Sequence, residues 1–416
     1  MMERKILLME KHLTKFRQWI AAGLSVFILG ITVNASTAQT SSGLSDQKIA
    51  SIFALEKVYL NNAYNMVQKT GKLPRSTAKG FQPVSDWTSG FYPGNLWLTY
   101  EFTKDKDILK KAEYATALVE SNKYFDTDHD TGFMIYCSYG NGYRLTKNPK
   151  YKEVIVEASK TAIKRYSPEV KSIMSWNPDI ARDWKFPVII DNMMNLELLL
   201  KGTEFTGDST YYYIAINHAN TTMKNQYRDD FSCSHVVDYD PATGQMRKRD
   251  WNNGNSNPAT ASWSRGQSWG LYGFAYMYQY TGKNEYLRHA ENVASYILNN
   301  PNLPKDMVPY WDYCAPKYPT LRDASAAALL ASGLLKLATL SPENGRKYFK
   351  SAERILQSLA SDAYLNTSGK GDFLLKHATG NFLRKSELDG GLIYADYYFL
   401  EALLAYQKLK KQFDQV

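Results

Sequence analysis

The sequence predicts an all-α protein, an (α/α)6 barrel of inner and outer helix pairs with short β-hairpins in the loops over a cavity. Two observations carry this. Amphipathic helices with one apolar face each follow a helix that is apolar or small nearly all round, and the junction between the two partners recurs as one short polar turn.

The first 38 residues of the 416 stand apart: basic residues from Arg4 to Arg17 precede the apolar run Trp19 to Val33, and the small residues Ser36 and Ala38 follow. This is the plan of a secretory signal peptide. The run is short for a membrane span, so residues 1–38 are expected to be removed and the mature chain to begin near Gln39. Their loss takes away five Lys or Arg and two acids, which lowers the formal charge of +9 by three. A mild basic balance suits an anionic ligand, and the absence of a backbone-tracking Lys/Arg block speaks against nucleic acid. Cys137, Cys233 and Cys314 are few, odd in number and far apart, which suggests free buried thiols. No Cys ends the signal to carry a lipid, so a soluble periplasmic protein without stable membrane association is expected.

Residues 39–416 are expected to form one domain. Asn95 to Phe102 reads as a buried helix and is followed by the one-sided set Ile108, Leu109, Ala112, Ala115 and Val119. Leu271 to Tyr280 stands in the same relation to Tyr286, Leu287, Ala290, Val293, Ala294, Ile297 and Leu298, and Ala324 to Leu340 to Tyr348, Phe349, Ala352, Ile355, Leu356 and Leu359. The junctions are Thr103-Lys104-Asp105, Thr146-Lys147-Asn148, Thr206-Gly207-Asp208 and Thr281-Gly282-Lys283, each with an apolar or aromatic residue five positions after the Thr. Their spacing is too uneven for an open solenoid, whereas closing the pairs into a ring leaves no exposed terminal face. The runs Phe133 to Tyr139 and Ser234 to Tyr239 read as extended and are expected in hairpins over the pocket.

Walker, GxGxxG, GxSxG and HExxH motifs are absent, as is a Cys/His cluster at zinc spacing, so chemistry without metal or cofactor is expected. Asp126 to Asp130 imitates the start of a calcium loop, but Thr131 stands where Gly is required and Cys137 where Glu is. What remains are polar residues in aromatic, Gly-rich surroundings: Trp87, His129 with Asp130, Asp191, His235, and Arg265 between Trp263 and Trp269. Aromatic faces covering a sugar, with carboxylates to hold its hydroxyls and move protons, are the chemistry this set suits. Asp191 follows Phe-Pro-Val-Ile-Ile and precedes Met-Met, so desolvation should raise its pKa, and a nearby Asp130 would push the same way. The competing reading makes Asp191 an N-cap. Ordinary hydrogen-bonded histidines and core tryptophans compete for the others. Arg265 could hold a substrate carboxylate bidentately, and Arg247-Lys248-Arg249 is either a solvated turn or a contact for a sulfated sugar.

Together, the segments Asp86 to Trp97, His129 to Phe133, Ile190 to Asn195, Ser262 to Trp269 and Arg322 to Ala326 resemble glycoside hydrolase family 88, the unsaturated glucuronyl hydrolases. The resemblance runs from about Trp87 to Tyr398 and takes in Lys376 to Gly380 as well as Gly391 to Tyr398. It implies an (α/α)6 barrel that needs no metal and acts on lyase-generated oligosaccharides ending in a 4,5-unsaturated uronic acid. It implies further that Asp191 protonates C4 and assists water addition at C5, with Asp130 as the second carboxylate. His129, His235, Arg265 and Trp269 fall on substrate-binding positions, Trp87 on a cavity aromatic, and Asn255 where relatives often carry Gln. An unsaturated rhamnogalacturonyl hydrolase of pectin fragments, a polysaccharide lyase on a similar toroid and a glycan-binding protein are the alternatives.

Overall fold

The computed structural model describes residues 43–250 and 259–414; the expected signal peptide and Asn255 lie outside them. Among the described residues twelve helices alternate between an outer and an inner position. The outer ones are α1 (Asp46–Thr70), α3 (Lys106–Leu118), α5 (Pro149–Ala162), α7 (Ser209–Asn225), α9 (Asn284–Leu298) and α11 (Gly345–Leu359). The inner ones are α2 (Phe91–Thr103), α4 (residues 131–146), α6 (Asn192–Thr206), α8 (Ser264–Thr281), α10 (Ala324–Leu340) and α12 (Ile393–Asp414). Each inner helix packs on the next around a ring that α12 closes onto α2.

The recurring junction has a local cause. Its first Thr ends an inner helix and turns its hydroxyl back on the carbonyl four residues earlier, at 2.8 Å for Thr103 and 2.7 Å for Thr146, Thr206 and Thr281. The second residue is left-handed, with φ 57° at Lys104, 59° at Lys147, 75° at Gly207 and 66° at Gly282, which stops the helix. At three junctions the third residue caps the next helix, Asp105 accepting from Asp107 N, Asn148 from Lys150 N and Asp208 from Thr210 N. The aromatic or apolar residue five positions on, such as Ile108 or Tyr286, then lands on the buried face.

Inner helices are buried nearly all round: every residue of α10 from Ala324 to Leu335 is buried. Outer helices bury one stripe, on α11 Tyr348, Phe349, Ala352, Ile355, Leu356 and Leu359. One difference from the sequence reading concerns α4. Phe133 to Tyr139 is helical, with an α turn Thr131–Ile135, a π segment Tyr136–Gly140 and a second α turn Asn141–Thr146. Packing between neighbouring inner helices overrides the β propensity of its aromatic and β-branched residues. The second run does form a strand, β6 (Val236–Tyr239), between β5 (Pro187–Ile189) and β7 (Met246–Asp250) in an antiparallel sheet. The hairpin of β1 (Leu73–Ser76) with β2 (Gly80–Gln82) and that of β3 (Tyr166–Ser167) with β4 (Ser172–Ile173) are further short pairs. Among the described residues the three cysteines form no disulfide, Cys137 and Cys233 being buried and Cys314 partly exposed. No helix among the described residues is long and apolar enough to cross a membrane.

Candidate active site

Every inner helix begins at the same end of the ring, and each start contributes a side chain. The register of β5 on β6 pairs Ile189 with Val236. One step further, Ile190 N bonds His235 O at 3.1 Å, so Asp191 and His235 leave the sheet side by side. His235 Nδ1 stands 3.4 Å from Asp191 Oδ1. Ser175 bridges β5 to the next loop, donating to Pro187 O at 2.8 Å and accepting from His129 N at 3.1 Å. That bond sets His129 and Asp130 opposite Asp191, with His129 Nε2 3.5 Å from Asp130 Oδ1.

Close packing of α4 on α6 completes the approach. A Cβ on Gly132 would stand 2.7 Å from Asn195 Cα, so only glycine fits there. Phe133 N then bonds Asn195 Oδ1 at 2.9 Å.

Asp191 occupies the N-cap position of α6 but makes no side-chain cap bond, and its own φ and ψ of −54° and −30° are helical. The carboxyl is therefore free of the capping role that competed for it. Its side chain is 15% exposed. Burial lifts its pKa to about 7, against the opposing pull of the Arg265 guanidinium. Asp130 is pushed well above the usual carboxyl range, first by burial and then by the charges of Asp128, Asp191 and Asp86. The charge of Asp191 is thus one of the causes that raise Asp130. Burial lowers both His129 and His235 to about 3, so both imidazoles are neutral at ordinary pH.

Trp87 opens the aromatic wall, with ring centroids 5.1 Å from Tyr394 and 5.6 Å from Phe133. Arg75 braces it from below, its Nη1 2.6 Å from Asp86 and its Nη2 2.8 Å from Glu387. Trp263 stacks edge-on to His235 at 4.6 Å and lies under the Arg265 guanidinium at 4.5 Å.

Two residues expected to contact substrate, Arg265 and Trp269, also have partners within the protein. Arg265 is partly engaged within the protein: Nη1 bonds Asp323 Oδ2 at 2.6 Å, Ser325 Oγ at 3.1 Å and Thr379 O at 2.7 Å, Nη2 bonds Gly380 O at 2.7 Å, and Nε has no hydrogen-bond partner among the described residues. The guanidinium is committed to Asp323, which caps α10, and it acts on Asp191 through its charge. Trp269 is 0% exposed, its ring 5.1 Å from Phe133 and 5.3 Å from Tyr398. It backs the wall instead of presenting a face to the cavity. Arg247-Lys248-Arg249 forms part of β7 and is also engaged within the protein. Arg247 pairs with Asp238 and with Asp183, Lys248 lies 4.6 Å from the Trp184 ring, and Arg249 Nε bonds Asn225 O at 2.7 Å.

Asp128, Asp323 and Tyr394 were not singled out as site residues from the sequence. Asp128 accepts from Asp130 N at 2.8 Å and adds its charge to Asp130. Asp323 could have been found from the Asp-Ala-Ser pattern opening an apolar helix, which is a capping signature.

The sequence model of Glycosyl Hydrolase Family 88 matches residues 62–399. The chain is 42% identical over 397 residues to an unsaturated glucuronyl hydrolase of Formosa agariphila, covering 92% of this chain and 98% of the relative. It is 31% identical to an unsaturated chondroitin disaccharide hydrolase of Streptococcus pyogenes serotype M1, covering 85% and 90%. A solved unsaturated glucuronyl hydrolase specific for heparin superposes with a TM-score of 0.83 at 40% identity, covering 88% of this chain and 99% of that one. Sequence and fold agree over nearly the whole described chain, which is a glycosidase belonging to glycoside hydrolase family 88.

Proposed function

We propose that this enzyme removes the 4,5-unsaturated uronic acid from the non-reducing end of lyase-generated oligosaccharides of glycosaminoglycan or a related acidic polysaccharide, by hydrating the double bond. The observation that carries the reading is the Asp191 carboxyl, uncapped, nearly enclosed and poised at about 7. Such a group holds a proton at neutral pH and releases it readily.

Protonated Asp191 gives its proton to C4, and positive charge develops at C5 and the ring oxygen. The Asp191 carboxylate then accepts a proton from water as that water bonds to C5. The resulting C5 hemiketal opens to a ketone, C1 is left as a hemiacetal, and its collapse to an aldehyde expels the aglycone alcohol. Asp130 is the second carboxyl of the pair, its pKa raised by burial and by the neighbouring charges of Asp128, Asp191 and Asp86. The neutral His129 and His235 orient substrate oxygens and Trp87 covers an apolar sugar face; Arg265 favours a negative charge on Asp191 in the second half of the reaction.

The double bond absorbs in the ultraviolet, so turnover is read as loss of absorbance. Unsaturated heparin and chondroitin disaccharides are expected to lose it. An enzyme acting only on unsaturated galacturonyl-rhamnose would refute the substrate assignment, and a gain of absorbance on intact polymer would mark a lyase. Export to the periplasm belongs to the same proposal, supported by the basic and apolar order of residues 4–33. N-terminal sequencing should find Gln39 or a close neighbour, and a mature chain starting at Met1 would refute it.

A further inference from the structure

The inner helices enclose a second cavity, of about 390 Å³, which the hydrolytic chemistry does not use. Phe133 and Tyr398 form its floor, and Phe133 meets Trp87 in the wall of the first site. From there the cavity runs toward the opposite end of the ring. Glu197 lies five residues into α6 and Glu401 eight into α12, about 8 and 12 Å along the helices at 1.5 Å per residue. Arg144 and Lys408 come later on their helices and mark the mouth.

Charge is therefore layered. Two carboxylates face each other in the interior. Glu401 is held by the Ser332 hydroxyl and by Tyr272 at 3.3 Å. At the mouth Arg144 and Lys408 both close on Glu101, Arg144 at 2.5 Å and Lys408 at 2.8 Å. Tyrosine rings fill the space between the layers, and an ammonium already lies against them. Lys336 Nζ sits 4.9 Å from the Tyr272 ring and 5.2 Å from the Tyr276 ring. Glu101, Glu197 and Glu401 balance Arg144, Lys336 and Lys408 over the whole lining, but above neutrality the innermost part, with two carboxylates to one ammonium, carries the negative charge among tyrosine rings.

We propose that this lower cavity is a second ligand site that takes a small organic ammonium ion, its charge between Glu197 and Glu401 and its alkyl groups against tyrosine faces. The geometry suits a cation because the partners are carboxylates and ring faces. An anion could be drawn to the mouth cations, but further in it would meet the carboxylates of Glu197 and Glu401. The site is independent of the assignment of the upper one, since none of its charged residues takes part in the hydrolysis.

Glu197 is faced by Glu401 from α12, Lys336 from α10, Tyr276 from α8 and Tyr136 from α4, with Lys201 on its own helix. Burial and Glu401 raise its pKa to about 7, against the pull of Lys336. Binding of a cation whose own charge is fixed should therefore strengthen through neutrality.

Choline and its neutral isostere 3,3-dimethylbutan-1-ol, titrated calorimetrically into the full-length protein at pH 8, test the proposal. Choline should bind saturably at one site and at least tenfold more tightly than the isostere. Its affinity should rise about tenfold from pH 6 to pH 8 as a carboxyl near 7 ionises. Glu197→Gln should weaken choline at least tenfold while keeping its helical spectrum and disaccharide turnover, and Asp191→Asn should leave choline binding intact. Equal affinity for the two probes, no choline binding, a flat pH dependence in the unaltered protein, or loss in Asp191→Asn with retention in Glu197→Gln would each overturn it.

Discussion

Nη1 of Arg265 lies 2.6 Å from Oδ2 of Asp323, and the two side chains are 4% and 0% exposed. Asp323 also caps α10 through Ser325 N and Ala326 N, so one carboxylate anchors a helix start and the cation nearest Asp191. Asp323→Ala would leave a buried guanidinium uncompensated. The expected loss is about 3–5 kcal/mol of stability, read as a lowered unfolding midpoint. A midpoint equal to that of the unaltered protein would show that Arg265 does not depend on the pair.

The raised carboxyl of Asp191 sets the pH profile. Asp191 must begin the cycle protonated, so kcat/KM should fall as pH rises through about 7. Asp130→Asn should cut the rate in the same series. Replacing the buried pair together, Arg265→Gln with Asp323→Asn, removes the cation that holds Asp191 down. The limb should move upward, and a downward shift would contradict the assigned electrostatics.

Gly132 tests the approach of α4 to α6. Gly132→Ala forces a Cβ toward Asn195 Cα, 2.7 Å away. Overpacking of this kind costs about 1–3 kcal/mol. Because Asp130 and Asp191 sit on the two displaced segments, turnover should drop more than tenfold even where the protein remains folded at the assay temperature. Parallel activity and unfolding curves separate the two effects; normal turnover would show that the spacing of the segments does not matter.

The junction turns were legible because each of their residues has a local task. Thr103 bonds its own helix, Lys104 stops it and Asp105 starts the next, and no distant contact is needed to see this. Helix α4 was not legible, since its π segment and aromatic run carry no 3.6-residue stripe and its shape is imposed by neighbouring helices. Asp191 could be picked out because an apolar run on both sides of a carboxylate implies desolvation. Arg265 could not be assigned its partner, because Asp323 lies 58 residues further along the chain. The two tryptophans beside Arg265 suggested a ligand clamp, whereas one supports the guanidinium and the other is buried in the wall.

A buried acid pair outside the site gives stability its own pH dependence. Burial and the charge of Asp396 raise Glu56 well above 4.5, and burial raises Asp396 to about 7. A carboxyl whose folded pKa exceeds its unfolded value binds its proton more tightly when folded, so its contribution is greatest at low pH. For this pair, stability is lost as pH climbs from the ordinary carboxyl range through about 7 and above. Glu56→Gln, an uncharged isostere, should therefore be more stable than the unaltered protein at pH 8, with the advantage shrinking toward pH 5. Denaturant midpoints across that range provide the check, and an advantage that grows toward acid would refute it.

The account turns on proton transfer by Asp191. Asn at this position keeps the size of the side chain but can neither donate nor accept the proton. The decisive measurement is the loss of ultraviolet absorbance from an unsaturated uronyl disaccharide by Asp191→Asn, with substrate binding measured in parallel. The rate should fall by about 10²–10⁴-fold while the disaccharide still binds. A near-normal rate of absorbance loss would contradict both the role of Asp191 and the hydration mechanism built on it.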